Sequence, residues 1–286
     1  MKNFFIVTCA GMSGSKWLAS VLEKHPKISS SHSAGMYKIY DRNYTEEEIV
    51  NILEIEREQF ANTITLFDIF NKIGNKNIVN GNVHAFRLYR LKEAITKCDS
   101  TPLFRLANLV RHPLKVTLSR AAMFEEMCKH DETVRKRLRN TILEYKKHYG
   151  DIIEKHQLDL GNFYILSFLD AVMGLQKLSD EIKNNPDVYH ICVEDLKEPA
   201  NYIKLVDFLS SGTITTTLEE AKMIVETPII NSHTKERNKI SIKTQFDSLE
   251  DWKQELLARG FNDSGIILQY EKLGYRFDFI HLNGIG

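Results

Sequence analysis

The chain has 286 residues, 43% of them apolar, and its 38 Lys plus Arg balance 38 Asp plus Glu. That length suits one α/β domain with insertions. Zero net charge excludes a general nucleic-acid binder, which needs an excess of base. The four cysteines (Cys9, Cys98, Cys128, Cys192) form no CxxC pair, and no apolar run approaches a membrane span, so neither a disulfide framework, nor a metal site, nor a transmembrane segment is expected.

Met1-Lys2-Asn3 is followed by an apolar run that breaks at Gly11 without a clear cleavage site, which argues against a signal peptide and for a cytoplasmic protein. Residues 4–7, FFIV, read as a strand buried on both faces. Gly11-Met12-Ser13-Gly14-Ser15 follows, then Lys16, and Trp17, Leu18, Val21 and Leu22 recur at helical spacing until His25-Pro26. A strand, a small-residue turn and a helix can wrap backbone N–H groups around a phosphate or sulfate, and the helix N-terminus adds positive potential. The same pattern also suits a plain βα turn. The Walker A ending, Gly-Lys-Ser/Thr, is not met, because the chain reads Gly14-Ser15-Lys16-Trp17.

Residues 28–32 form a short β-like segment ending at His32, and Thr45 with Glu48 forms a capping-box pattern opening a long helix that closes near Gly74. Residues 77–83 read as a strand ending at His84, and residues 91–98 as a helix. Residues 103–110, LFRLANLV, are a second buried strand running into Arg111-His112-Pro113, with Pro113 opening a helix to 124. The charge-dense stretch 125–156 reads as solvated helix. An apolar helix is expected over 163–178, a strand over 188–193 and a helix over 199–209. Then come a basic loop at 231–239 and helices near 249–257 and 266–273. Strands alternating with helices predict an α/β domain spanning 1–286, with a mostly parallel central sheet flanked by helices.

Three elements together resemble the PAPS-dependent sulfotransferase family, whose fold is P-loop-NTPase-like. They are Ser13-Gly14-Ser15-Lys16-Trp17-Leu18 after a strand, Arg111 with Ser119 eight residues on, and Val193-Glu194-Asp195-Leu196 before a helix. Asp251-Trp252-Lys253 is similar to a late family element. The resemblance implies transfer of a sulfuryl group from PAPS (3′-phosphoadenosine 5′-phosphosulfate) to a hydroxyl or amine, with PAP as product and no metal. It implies that the loop 11–16 holds the 5′ end and that Arg111 and Ser119 hold the 3′-phosphate. A donor charged at both ends needs two anion sites, and parallel-strand C-termini supply them. Trp17 reads either as adenine stacker or as core. Many family members carry Lys or Arg where Met12 stands, so Lys16 is the candidate for that charge. Lys235 and Arg237 are candidates for closing over the cosubstrate. His84 is the first candidate for general base and His32 the second.

The acceptor class (small molecule, glycan or lipid) stays open, as does oligomer formation. Residues 36–74 and 125–161 are where acceptor specificity is expected. The competing readings are a P-loop nucleotide or small-molecule kinase and a non-catalytic PAP-binding protein.

Overall fold

The computed structural model describes residues 3–9, 12–32, 79–84, 104–226 and 241–280. In chain order the elements begin with β1 (Asn3–Cys9), α1 (Ser15–Glu23), β2 (Ile28–His32), β3 (Val79–His84) and β4 (Phe104–Val110). Helices α2 (Pro113–His130), α3 (Glu132–Asn140), α4 (Ile142–Lys155), α5 (Phe163–Met173) and α6 (Leu175–Lys183) follow. Next come β5 (Tyr189–Cys192), a 3-10 turn (Asp195–Lys197), α7 (Pro199–Ser210) and α8 (Leu218–Val225). The last elements are α9 (Ile242–Asp247), α10 (Asp251–Asp263) and α11 (Ile266–Glu271). The five strands form one sheet in the order β2-β3-β1-β4-β5, and every neighbouring pair is parallel. The α/β expectation, a central parallel sheet with flanking helices, therefore holds. The capping-box helix from Thr45 and the helix at 91–98 fall outside the described residues.

Contacts group the chain into two compact units. The first takes in Met1–Arg111 with Asn185–Asn231, and the second His112–Asn184 with Ser232–Gly286. In the first, alternation along the strands turns Phe5, Val7 and Cys9, with Ala107, Leu109 and Ile191, to one face of the sheet. That face joins a single apolar cluster with Trp17, Leu18, Val21 and Leu22 of α1 and Tyr202, Leu205, Val206 and Leu209 of α7. The four α7 residues recur at helical spacing, so they share one face of that helix.

The same unit carries a polar row. Thr8 pairs in register with Asn108, and Asn108 with His190. The single proton of Thr8 Oγ1 has two acceptors in reach, Asn108 Oδ1 (3.2 Å) and the Ala107 carbonyl (3.3 Å). Asn108 Nδ2 lies 3.3 Å from His190 Nδ1, and His190 Nε2 lies 3.1 Å from the Asn185 carbonyl. A carbonyl can only accept, so Nε2 carries the proton and Nδ1 accepts from Asn108. Every member of the row has a partner, as the burial of Thr8 and Asn108 demands, and His190 is half-buried.

The second unit is helical. The apolar stretch 163–178 divides at Gly174, which caps α5 and opens α6, so the single helix expected there is two. Gly260 of α10 sits hard against Val172 and Leu175, with no room for a side chain. His112 caps α2 through Nδ1, which accepts from the Leu114 N–H at 3.2 Å. Its Nε2 lies 3.4 Å from the Arg276 carbonyl, and the rings of Tyr275, Phe277 and Phe279 surround it at 5.1–5.9 Å. The histidine of the Arg-His-Pro motif is thus a buried peg for the C-terminal segment. Lys253 is likewise enclosed: its Nζ pairs with Glu250 at 2.8 Å, bonds Tyr164 Oη, and lies 4.1–5.3 Å from the rings of Tyr164, Phe168 and Trp252. In the Asp-Trp-Lys element Trp252 and Lys253 are packed, and Asp251 is exposed.

Candidate anion site at the end of the first strand

Strand β1 is central, and the chain leaves it toward β2 while β4 leads on toward β5. The C-terminal ends of β1 and β4 therefore flank a point where connections diverge, the usual ligand position in an open α/β sheet. Cys9 pairs with Leu109 there, so the residues following both strands emerge side by side.

The segment following β1 adopts an unusual backbone. Met12 has φ 57° and Gly14 has φ 88°, two left-handed residues flanking Ser13. Glycine takes that conformation freely, whereas methionine is strained by it. A Cβ on Gly14 would lie 3.2 Å from Val193 Cγ2, so the backbone also passes close to the end of β5. Ser13 is 2% exposed and Ser15 is buried. Gly14 is the N-cap of α1 and supplies no side-chain cap, and the first turn of the helix contains no acid. Lys16 adds a cation to this already positive terminus, is exposed, and forms no ion pair among the described residues.

Arg111 follows β4 and is partly exposed. Its Nη1 donates to the Met12 carbonyl at 2.9 Å. The structure therefore brings Met12, Ser13, Gly14, Ser15, Lys16 and Arg111 into one locality rich in positive charge. An anion is what such a locality attracts.

The other expected residues stand as follows. Trp17 is 2% exposed and belongs to the apolar cluster. Of the two readings of Trp17, this burial agrees with the core one. Ser119 lies on α2, in the second unit, and is partly exposed. His84 closes β3 as the register partner of Thr8, and His32 closes β2 opposite Val83. Both candidate bases thus end neighbouring strands, as backbone positions whose side chains are not described. Gly11, Lys235 and Arg237 fall outside the described residues. Sequence reasoning missed the strained backbone of Met12, the support from Val193 and the Arg111 bond to the loop, none of which leaves a residue-pattern signal.

No helix among the described residues is long and apolar enough to cross a membrane. No family model matches the chain, and no curated protein matches it. Among solved structures, the chain is similar to a sulfotransferase from Alicyclobacillus acidocaldarius, with 17% identity, 97% of each chain covered and a TM-score of 0.47.

Proposed function

We propose that the protein is a PAPS-dependent sulfotransferase. The observation that carries this reading is the left-handed loop between β1 and α1 with Arg111 bound to its carbonyl. It is an anion cradle at a strand end, with an arginine at the adjacent strand end. In this reading the backbone from Ser13 to Ser15, the α1 terminus and Lys16 hold the 5′-phosphosulfate, and Arg111 and Ser119 hold the 3′-phosphate. Arginine's planar donor fork suits phosphate oxygens.

The reaction is an in-line displacement. The acceptor oxygen forms a bond to sulfur while the bond from sulfur to the bridging phosphate oxygen breaks, and PAP leaves with the electron pair. Neutralising charge on that leaving group is the main catalytic demand, which assigns Lys16 its role in place of a cation at Met12. The acceptor's proton goes to His84, or to His32 in its stead. The reading needs no metal. Where the carriers of a late basic loop are concerned, Lys235 and Arg237 complete the donor site. The acceptor is a hydroxyl or amine of a small molecule, glycan or lipid, and the protein works in the cytoplasm.

The test is thermal stabilisation by PAP without metal, compared with ATP and ADP plus magnesium. A ligand at a hundred times its dissociation constant stabilises by about 2.7 kcal/mol. Stabilisation by PAP alone supports the reading, and preference for ATP with magnesium replaces it with a kinase. Turnover of labelled PAPS on an acceptor panel follows, with His84→Ala and Lys16→Met each expected to lose about 10²-fold or more while PAP binding by His84→Ala persists. Full turnover by His84→Ala passes the base to His32. PAP binding with no turnover on any acceptor makes the protein a non-catalytic binder.

A further inference from the structure

Arg111 is bonded to the loop itself, and the loop residue it touches is the strained one. Met12 holds φ 57° without being glycine, a conformation disfavoured for any residue with a Cβ. Strain of that kind persists only where surrounding structure enforces it. The Met12 carbonyl accepts a charge-assisted bond from Arg111 Nη1 at 2.9 Å, and that carbonyl's direction depends on the Met12 backbone torsions. Two residues on, Gly14 is left-handed as well, and its carbonyl accepts the Leu18 N–H that starts α1. The bond therefore bears on a peptide unit that helps set the chain's course into the first turn of α1.

We propose that Arg111 is a positioning residue for the β1–α1 loop: it clamps Met12 in the left-handed conformation that aims the loop's N–H groups at an anion. This rests on the reading of the loop as an anion site. It goes further in one respect: the arginine serves both ends of a doubly anionic ligand, one by direct contact and the other through the loop. Losing it weakens binding even of a ligand that has nothing for the guanidinium to hold.

That difference is measurable with two nucleotides. PAP carries 5′- and 3′-phosphates, whereas 5′-AMP lacks the 3′ group. Dissociation constants for both are taken by calorimetry on wild type, Arg111→Ala, Arg111→Lys, Met12→Gly and the double variant Arg111→Ala/Met12→Gly. Amide exchange of residues 12–15 is followed in the same proteins without ligand. Loss of a hydrogen bond to a charged group corresponds to about a tenfold change or more. Arg111→Ala is expected to bind 5′-AMP about tenfold more weakly and to exchange its loop amides about tenfold faster. Adding Met12→Gly, which adopts positive φ without strain, restores much of the 5′-AMP affinity but not the preference for PAP. Arg111→Lys falls between, and decides the matter if the alanine variant does not fold.

Unchanged 5′-AMP affinity and unchanged loop exchange in Arg111→Ala overturn the clamp, even where PAP binding drops. A wild type that does not prefer PAP over 5′-AMP overturns the sulfotransferase reading instead. Loop exchange in the ligand-free proteins still decides the clamp in that case.

Discussion

Replacing Gly14 by alanine tests the loop most directly, because two costs act there and each can be isolated. Gly14 sits at φ 88°, where a residue with a Cβ loses about 1–2 kcal/mol. The new Cβ would also stand 3.2 Å from Val193 Cγ2, tighter than ordinary van der Waals contact, so β5's end or the loop must give by a few tenths of an ångström. Against these, alanine restricts the unfolded chain and returns about 0.4–1 kcal/mol. The net expectation is a loss of about 1 kcal/mol from strain alone, and more if Val193 resists. Urea denaturation of Gly14→Ala, Val193→Ala and the double variant separates the parts. Val193→Ala removes the crowding but leaves φ untouched, so the cycle should show a favourable coupling while the double variant keeps the strain cost. A stabilised Gly14→Ala would refute the left-handed loop, and with it the geometric basis of the anion cradle.

Two further predictions concern stability. His25 is buried, its Nδ1 accepting from the Lys27 N–H at 3.2 Å and its Nε2 meeting Thr216 Oγ1 at 3.2 Å; burial holds its pKa below the ordinary histidine value, with Glu220 opposing and Lys27 assisting. His190 is lowered by burial too, against the Asn185 carbonyl. A histidine with a depressed folded pKa binds fewer protons folded than unfolded, so its contribution is complete above about pH 6.5 and is lost as pH falls toward the folded value. Urea midpoints should drop between pH 7 and pH 5, and less steeply in His25→Asn; parallel slopes would refute the assignment. In the second unit, Gly260→Ala gains about 0.5–1 kcal/mol of helix propensity but drives a methyl into Val172 and Leu175, an overpacking cost of about 1–3 kcal/mol, so a net loss of stability is expected by denaturation and a gain would contradict the packing.

How far the sequence revealed these features depended on the kind of signal each leaves. Strands β1 and β4 and helix α7 are legible because uninterrupted or periodic apolar residues record which face is buried. The division of 163–178 is not, because the apolar spacing runs on through Gly174 and a single glycine does not itself announce a break. Helix α8 does leave a signal: Thr217 and Glu220 form a complete capping box, with Thr217 Oγ1 accepting from the Glu220 N–H and Glu220 Oε2 accepting from the Thr217 N–H. Trp17 had two readings that local sequence cannot separate, since an aromatic at a helix start looks the same facing a core or a base. The Arg111 bond to Met12 joins residues 99 apart through a backbone carbonyl, a contact to which every residue type is equally entitled.

The row Thr8–Asn108–His190 has a consequence for how this chain can vary. Its bonds run one way: hydroxyl to amide oxygen, amide nitrogen to imidazole, imidazole to carbonyl. Asn108 and His190 are each donor on one side and acceptor on the other, so a replacement there must preserve both polarities or leave a neighbour unsatisfied, at about 1–3 kcal/mol where that neighbour is buried. Valine at Thr8 strands the Asn108 oxygen, and leucine at Asn108 strands His190 Nδ1 while Thr8 keeps the Ala107 carbonyl. The three positions lie far apart in the chain yet are coupled through one line of bonds, so a change at the middle one is felt at His190 and a change at Thr8 is felt at Asn108.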